Sequence, residues 1–251
     1  MQVTLVQEAS TLDPEENRGR LAELTPEGSD LVVFPEAFAR DFGEPGSDIS
    51  GAAEALDGPF ATEVERVAYE RGATIVAGMF ERGDDPERPV NTVVMRGAAH
   101  ADYRKIHLYD SFGYRESDRV TAGPLTPVTV QLGDLTIGLM TCYDLRFPDL
   151  ARALVAAGAD VLLVPAAWVA GSRKVDHWTT LARARAIENT AYVVAVGQPG
   201  PRYTGHSIAV DPLGEVLAEA GEKPETLTAT LEREVVDAAR ATNPSLANRR
   251  L

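Results

Sequence analysis

Apolar and polar positions along this chain alternate between two periods. Short, nearly continuous apolar runs that suit buried strands fall at residues 2–7, 31–34, 74–80, 92–96, 128–132, 135–141, 161–164 and 192–196. Between several of them apolar residues recur every three or four positions, which predicts helices over 14–24, 53–71, 150–157 and 175–189. Pro14 after Asp13 marks a helix start and Gly158 a helix stop. Residues 208–210 and 216–218, joined by Asp211-Pro212-Leu213-Gly214, read as strand, turn, strand. Strands and helices mixed throughout predict a layered α/β fold. No stretch reads as a linker, repeat or low-complexity tract, so residues 1–251 are expected to form one domain. Two segments, 37–51 and 104–127, lack a clear period, and loops of that length inside a compact domain are usually functional.

Charge narrows the function classes. A net charge of −14, spread along the whole chain, argues against a nucleic-acid surface, which concentrates Lys and Arg on one face. A single cysteine excludes an intrachain disulfide and a multi-cysteine metal site. The most apolar stretch, 161–170, is half the length of a membrane span and contains Pro165. Residues 2–7 already read as a strand, with no basic leader before them, so a cytoplasmic location is expected.

Candidate chemistry sits at the ends of elements. Cys142 lies between a strand-like run and a helix expected from Leu145, where backbone N–H groups favour a thiolate. An ordinary thiol is only a few per cent ionised at neutral pH, so a working nucleophile there needs a base. Glu36 follows the strand-like Leu31-Val32-Val33-Phe34-Pro35, where burial suits a carboxylate to act as that base. Lys105, just past another strand-like run, is a cation able to hold a developing oxyanion. The four histidines show neither metal spacing nor an HExxH pattern, and Gly205-His206-Ser207-Ile208-Ala209 lacks the closing glycine of a nucleophile elbow. His107 is an alternative base with no feature to recommend it over Glu36.

Four ordered segments resemble the nitrilase superfamily of carbon–nitrogen hydrolases: Val33-Phe34-Pro35-Glu36, Tyr103-Arg104-Lys105-Ile106-His107-Leu108, Cys142-Tyr143-Asp144-Leu145-Arg146-Phe147-Pro148 and Arg183-Ala184-Arg185-Ala186-Ile187-Glu188-Asn189. Gly205-His206-Ser207, Asp211-Pro212-Leu213-Gly214 and Asn248-Arg249-Arg250 extend the likeness over essentially the whole chain. The resemblance implies an α-β-β-α sandwich, with Glu36 as general base, Lys105 as oxyanion stabiliser, Cys142 as nucleophile and Glu116 as a second glutamate. It also implies no metal or organic cofactor, a small-molecule amide substrate, and protomers that pair as a homodimer or assemble into a higher homo-oligomer.

Cys142-Tyr143-Asp144 looks like the amidase branch related to the Nit proteins, which hydrolyses small amides, often monoamides of dicarboxylic acids. An N-carbamoyl amide hydrolase and a catalytically silent binding member of the fold are the alternatives. Tyr143 and Trp168 are expected to shape the acyl pocket, and Arg173 and Lys174 to bind a substrate carboxylate, a task that the arginine's bidentate fork suits. Arg146 is expected either near the pocket or, in preference, paired with a neighbouring carboxylate, and Glu188 and Asn189 to support the fold or a dimer contact. Asp149 after Arg-Phe-Pro, tryptophan at 168 and the loose match over 171–178 depart from the branch pattern and bear on substrate identity.

Overall fold

A computed structural model describes residues 1–250. The first half of the chain runs β1 (Gln2–Gln7), α1 (Pro14–Leu24), β2 (Leu31–Val33), α2 (Pro59–Arg71), β3 (Thr74–Glu81), β4 (Val90–Arg96) and β5 (Ala101–Arg104). A hairpin of β6 (Asp110–Ser111) and β7 (Tyr114–Arg115) and a tight turn at Glu116–Asp118 follow. The second half runs β8 (Thr129–Leu132), β9 (Leu135–Leu139), a 3₁₀ turn (Cys142–Arg146), α3 (Pro148–Ala156), β10 (Val161–Ala166), α4 (Lys174–Asn189), β11 (Tyr192–Gly197), β12 (Ile208–Val210) and β13 (Val216–Glu219). β14 (Glu225–Thr230) and α5 (Arg233–Thr242) close the chain.

The strands form two six-stranded sheets, ordered β14-β1-β2-β3-β4-β5 and β13-β12-β11-β10-β9-β8, with one wiring. In the first, β1, β2 and β3 are parallel and β4 and β5 antiparallel; in the second, β9, β10 and β11 are parallel and β12 and β13 antiparallel. An antiparallel strand, β14 or β8, flanks each.

Strand periodicity sorts the first sheet's side chains onto two faces. Val3, Leu5, Leu31, Val33, Val93 and Met95 join the core shared with the second sheet. Val6, Val32, Ile75, Ala77 and Met79 pack instead with Leu21 of α1 and Phe60 and Val64 of α2. Beyond the second sheet, Leu150 and Leu154 of α3 and Trp178 and Ala182 of α4 continue the shared core. The layers are thus α-β-β-α. Each fully buried Val or Leu contributes about 1.5–3 kcal/mol, so a charge at Val33 or Leu163 would open the seam between the sheets.

Departures from the sequence reading have local causes. The helix expected from residue 53 starts at Pro59, because Glu54 bridges to Glu81 and its carboxylate accepts the Phe60 N–H at 2.6 Å. The helix expected near Leu145 starts at Pro148, after a 3₁₀ turn in which the Asp144 carboxylate accepts the Thr141 N–H at 2.8 Å and the Thr141 carbonyl accepts the Asp144 N–H at 3.0 Å. β5, β14 and α5 were not anticipated, β5 and β14 because their residues are largely polar, and α5 although Val235, Val236 and Ala239 recur at helical spacing. α5 is held partly by charge: buried Asp160 accepts from both Arg233 and Arg240 at 2.7 Å. No helix among the described residues is long and apolar enough to cross a membrane.

Candidate active site

β2 ends where its pattern says it must. Phe34 N–H still reaches Val76 O at 2.8 Å, but Pro35 has no N–H to offer, and Ala37 turns into the left-handed region at φ 55°. The chain crosses β3 closely enough that a Cβ on Gly78 would collide with the Glu36 and Ala37 backbone. Gln198 Nε2 donates to Glu36 O at 2.9 Å from the end of β11. Glu36 is thereby fixed with its side chain buried.

Lys105 follows β5, its N–H on Asn91 O at 2.9 Å and its carbonyl accepting from Gly123 at 2.8 Å. Its Nζ lies 2.9 Å from Glu36 Oε1 and 2.9 Å from Glu116 Oε2, an ammonium shared by two buried carboxylates. Asn91 Nδ2 donates to Glu36 Oε1 at 2.7 Å and to Glu116 Oε1 at 3.2 Å. The second oxygen of Glu36 accepts the Ala167 N–H at 2.7 Å, and Glu116 Oε2 accepts the Tyr109 N–H at 2.6 Å. Every oxygen of the pair has a donor, which a buried carboxylate requires.

Cys142 follows β9 in a left-handed conformation, φ 48°, that a non-glycine residue adopts only when its surroundings impose it. Asp144 is what imposes it. Its carboxylate accepts from Thr141 N–H at 2.8 Å and Tyr103 O–H at 2.6 Å, and from His107 N–H at 3.1 Å with the His107 ring 2.7 Å away. One buried carboxylate therefore ties the segment bearing Lys105 to the turn bearing Cys142. Arg185 Nε adds a bond to Leu145 O at 3.0 Å.

The electrostatics reverse one expectation. Instead of a thiolate favoured by a helix start, burial first, then the Glu36 charge and a hydrogen bond to it, push the Cys142 thiol well above its ordinary value, against the pull of Lys105. Burial opposes the Lys105 charge too, but Glu116, Glu36 and Cys142 outweigh it and hold the ammonium well above the usual lysine range. Sulfur and ammonium both rest protonated.

Glu36, Lys105, Glu116 and Cys142 line one cavity of about 520 Å³. The two segments without period supply much of its wall, Phe42, Gly43 and Pro45 from one and Tyr109, Phe112 and Tyr114 from the other. Trp168 also lines it, its indole N–H on Lys174 O at 3.0 Å. Tyr143 does not line it; half-buried, it packs edge-on against Tyr109 and Phe147, with ring centroids 5.1 and 5.2 Å away. Arg173 is a correction. In a left-handed conformation at the helix start it points outward, 74% exposed and paired with Asp176 at 3.1 Å, while Lys174 turns into the cavity.

Arg146 makes no ion pair among the described residues; it meets His177 Nδ1 at 3.3 Å and lies over the ring of Trp168, 4.8 Å from its centre, so it sits beside the cavity wall instead of pairing with a carboxylate. His107 stays outside the lining, stacked on Phe147 at 3.8 Å. Asn189 is buried and donates to Arg185 O at 2.9 Å, and Glu188 pairs with Arg185 at 2.9 Å. The sequence reading missed Asn91, Gly78, Gln198 and the Ala167 N–H. Only Gly78 had a signal, a glycine within the apolar run 74–80, which marks a close backbone approach. Among the described residues no group of three or more His, Cys, Asp or Glu is placed to hold a metal ion.

The Carbon-nitrogen hydrolase family profile matches residues 2–241. Deaminated glutathione amidase of Escherichia coli O157:H7 is 41% identical over 224 residues, covering 88% of this chain and 84% of that protein. The Homo sapiens protein of the same name is 36% identical over 271 residues, covering 99% and 82%. Among solved structures, a CN-hydrolase superfamily protein of Xanthomonas campestris with an arsenic adduct in its active site superposes with a TM-score of 0.88 at 31% identity, covering 100% of this chain and 97% of that one. Family profile, relatives and layered fold agree: this chain is an enzyme of the carbon–nitrogen hydrolase family, within the Nit-related amidases of the nitrilase superfamily.

Proposed function

We propose that the protein hydrolyses the C–N bond of a small aliphatic amide through a thioester on Cys142. The observation that carries this reading is the Lys105 ammonium, held 2.9 Å from both Glu36 and Glu116 in a cavity that Cys142 also lines. The Cys142 sulfur attacks the amide carbon as its proton passes to Glu36, and the carbonyl electrons move onto oxygen. Lys105 and the Tyr143 backbone N–H hold that oxygen. Glu36 returns the proton to nitrogen, the C–N bond breaks, and ammonia leaves. Water then gives a proton to Glu36 and attacks the thioester; the C–S bond breaks, the sulfur regains its proton, and the acid departs.

The raised thiol pKa supports this order, because the nucleophile keeps its proton until attack and needs a base in contact. Glu116 acts as a positioning group: it shares the ammonium and stops Lys105 from closing wholly onto Glu36. The relatives named deaminated glutathione amidase support an amide substrate. The test is ammonia release from a panel of aliphatic amides by the protein and its Cys142→Ala variant. Turnover retained by the variant overturns the reading.

The same reading includes pairing of two copies in the cytoplasm. Exposed Ile187, Leu213, Val216 and Leu217 offer apolar side chains for that contact, and a monomeric mass in sedimentation would reject it.

A further inference from the structure

Each oxygen of a carboxylate has room for about two hydrogen-bond donors. On Glu36, Oε1 already meets two, the Lys105 ammonium at 2.9 Å and the Asn91 side-chain N–H at 2.7 Å. Oε2 meets one, the Ala167 N–H at 2.7 Å. The donors come from different halves of the molecule. Asn91 lies on β4 and Lys105 follows β5 in the first sheet, whereas Ala167 follows β10 in the second. Cys142 follows β9, the neighbour of β10, and the Met140 N–H ties the two strand exits together on Leu163 O at 3.0 Å. The oxygen with room to spare is therefore the one held by the sheet that carries the sulfur.

Asn91 is 1% exposed and does not line the cavity, so substrate does not reach it. Its Nδ2 serves both carboxylates, Glu36 Oε1 at 2.7 Å and Glu116 Oε1 at 3.2 Å, while its own Oδ1 has no partner among the described residues. An orphaned buried acceptor is costly. Turning the amide over would instead set that oxygen against two anions, so the charge-assisted bonds decide its orientation. The Asn91 carbonyl also accepts the Lys105 N–H at 2.9 Å. One residue thus grips the lysine by its main chain and both of the lysine's counter-charges by its side chain.

We propose that Asn91 is a positioning residue that, with Lys105, fills Oε1 of Glu36 and leaves Oε2 as the oxygen that exchanges the catalytic proton. This rests on the amidase reading above and assigns its proton to one atom. The proton moves from sulfur to Oε2 as the S–C bond forms, and from Oε2 to nitrogen as the C–N bond breaks. Oε1 keeps its two donors throughout, so Glu36 need not turn between the two transfers. Without the Asn91 donor, Oε1 gains an open direction and the proton can settle on the oxygen away from the sulfur. A carboxylate that loses a donor also takes up a proton at higher pH.

The test uses Asn91→Leu, which keeps the bulk without a donor, and Asn91→Ser, whose hydroxyl can serve one carboxylate but not both. Two rates are followed across pH. One is ammonia release from butyramide. The other is iodoacetamide alkylation of Cys142, the sole cysteine, in which the S–C bond forms, iodide leaves and the thiol proton goes to Glu36. Asn91→Leu should lower kcat for ammonia release about 10- to 100-fold with KM nearly unchanged, and slow alkylation at neutral pH about tenfold. The acid limb of both rates should move to higher pH, with Asn91→Ser in between. An acid limb of alkylation that stays in place overturns the assignment, even if urea unfolding shows lost stability, because a merely structural role would leave that limb unmoved. Slowed and shifted alkylation in a protein that releases ammonia from no amide would keep the role of Asn91 and remove the hydrolase reading instead. If Asn91→Leu fails to fold, Asn91→Ser decides by the same two rates.

Discussion

The two sheets are wired alike but furnished differently. Aligned on their prolines, Val33-Phe34-Pro35-Glu36-Ala37-Phe38 leaves the middle strand of the first sheet and Leu163-Val164-Pro165-Ala166-Ala167-Trp168 that of the second. The neighbouring pairs Val33↔Val76 and Leu163↔Val194 correspond, so Gly78 in one sheet stands where Val196 stands in the other. The first half supplies the charged groups, Glu36 past β2, Lys105 past β5 and Glu116 in the turn after β7, together with the neutral amide of Asn91 on β4. The second supplies the sulfur past β9, the Ala167 N–H past β10, and the aromatic wall at Trp168. The link between them is the Ala167 N–H on Glu36 at 2.7 Å, joining corresponding strand exits. Charge costs little in the half that pairs it within one hydrogen-bond network around Lys105.

The largest expected effect tests the half that holds the sulfur. Cys142→Ala should lower ammonia release by at least about 10⁴-fold, read at saturating amide, with the thermal midpoint nearly unchanged. Next, Glu36→Gln should lower kcat by about 10²- to 10⁴-fold, since the amide keeps the bulk but loses the proton acceptor. Placing the carboxylate on the other sheet in the same protein, Glu36→Gln with Ala166→Glu, should restore nothing. Restored turnover there would mean that the two strand exits are interchangeable.

Lys105→Met leaves two buried carboxylates facing each other without a cation. It should cost about 3–5 kcal/mol in urea unfolding as well as activity. Gly78→Ala should cost about 1–3 kcal/mol and most of the activity, because the added Cβ meets the Glu36 backbone. Stability lost without activity would mean that Glu36 is less firmly seated than the close crossing implies.

The smallest effect is on pH. The Cys142 thiol and Lys105 both have folded pKa values above their ordinary 9.0 and 10.5. The stability each contributes is complete below its ordinary value and is lost as pH rises from there through the folded value. Neither group should therefore reduce stability or rate between pH 7 and 9. A rise in rate with pH, centred near pH 8, would show that the sulfur works as a free thiolate.

Much of the scaffold was legible in the chain. β1 and α1 fall at the residues their patterns predict, because their periods and the Asp13-Pro14 start are local signals. β14 and α5 were not, because their place depends on pairing with β1 and on the Asp160 ion pairs, neither of which has a local signature. At the site, Glu36, Lys105 and Cys142 stood out by lying at strand ends within familiar words. Asn91 and the Ala167 N–H did not, since a hydrogen bond across 131 positions leaves no periodic trace.

By itself, then, the sequence determined the alternation of strands and helices, the prolines and glycines that end them, and the residue types capable of acid, base and nucleophile chemistry. These follow from backbone geometry and side-chain chemistry acting over a few residues. Only the tertiary structure decided that two carboxylates share one ammonium, that the thiol is held protonated, and that Lys174 rather than Arg173 turns inward. Burial and charge pairing depend on neighbours brought together by packing of the sheets, and those neighbours are remote in the chain.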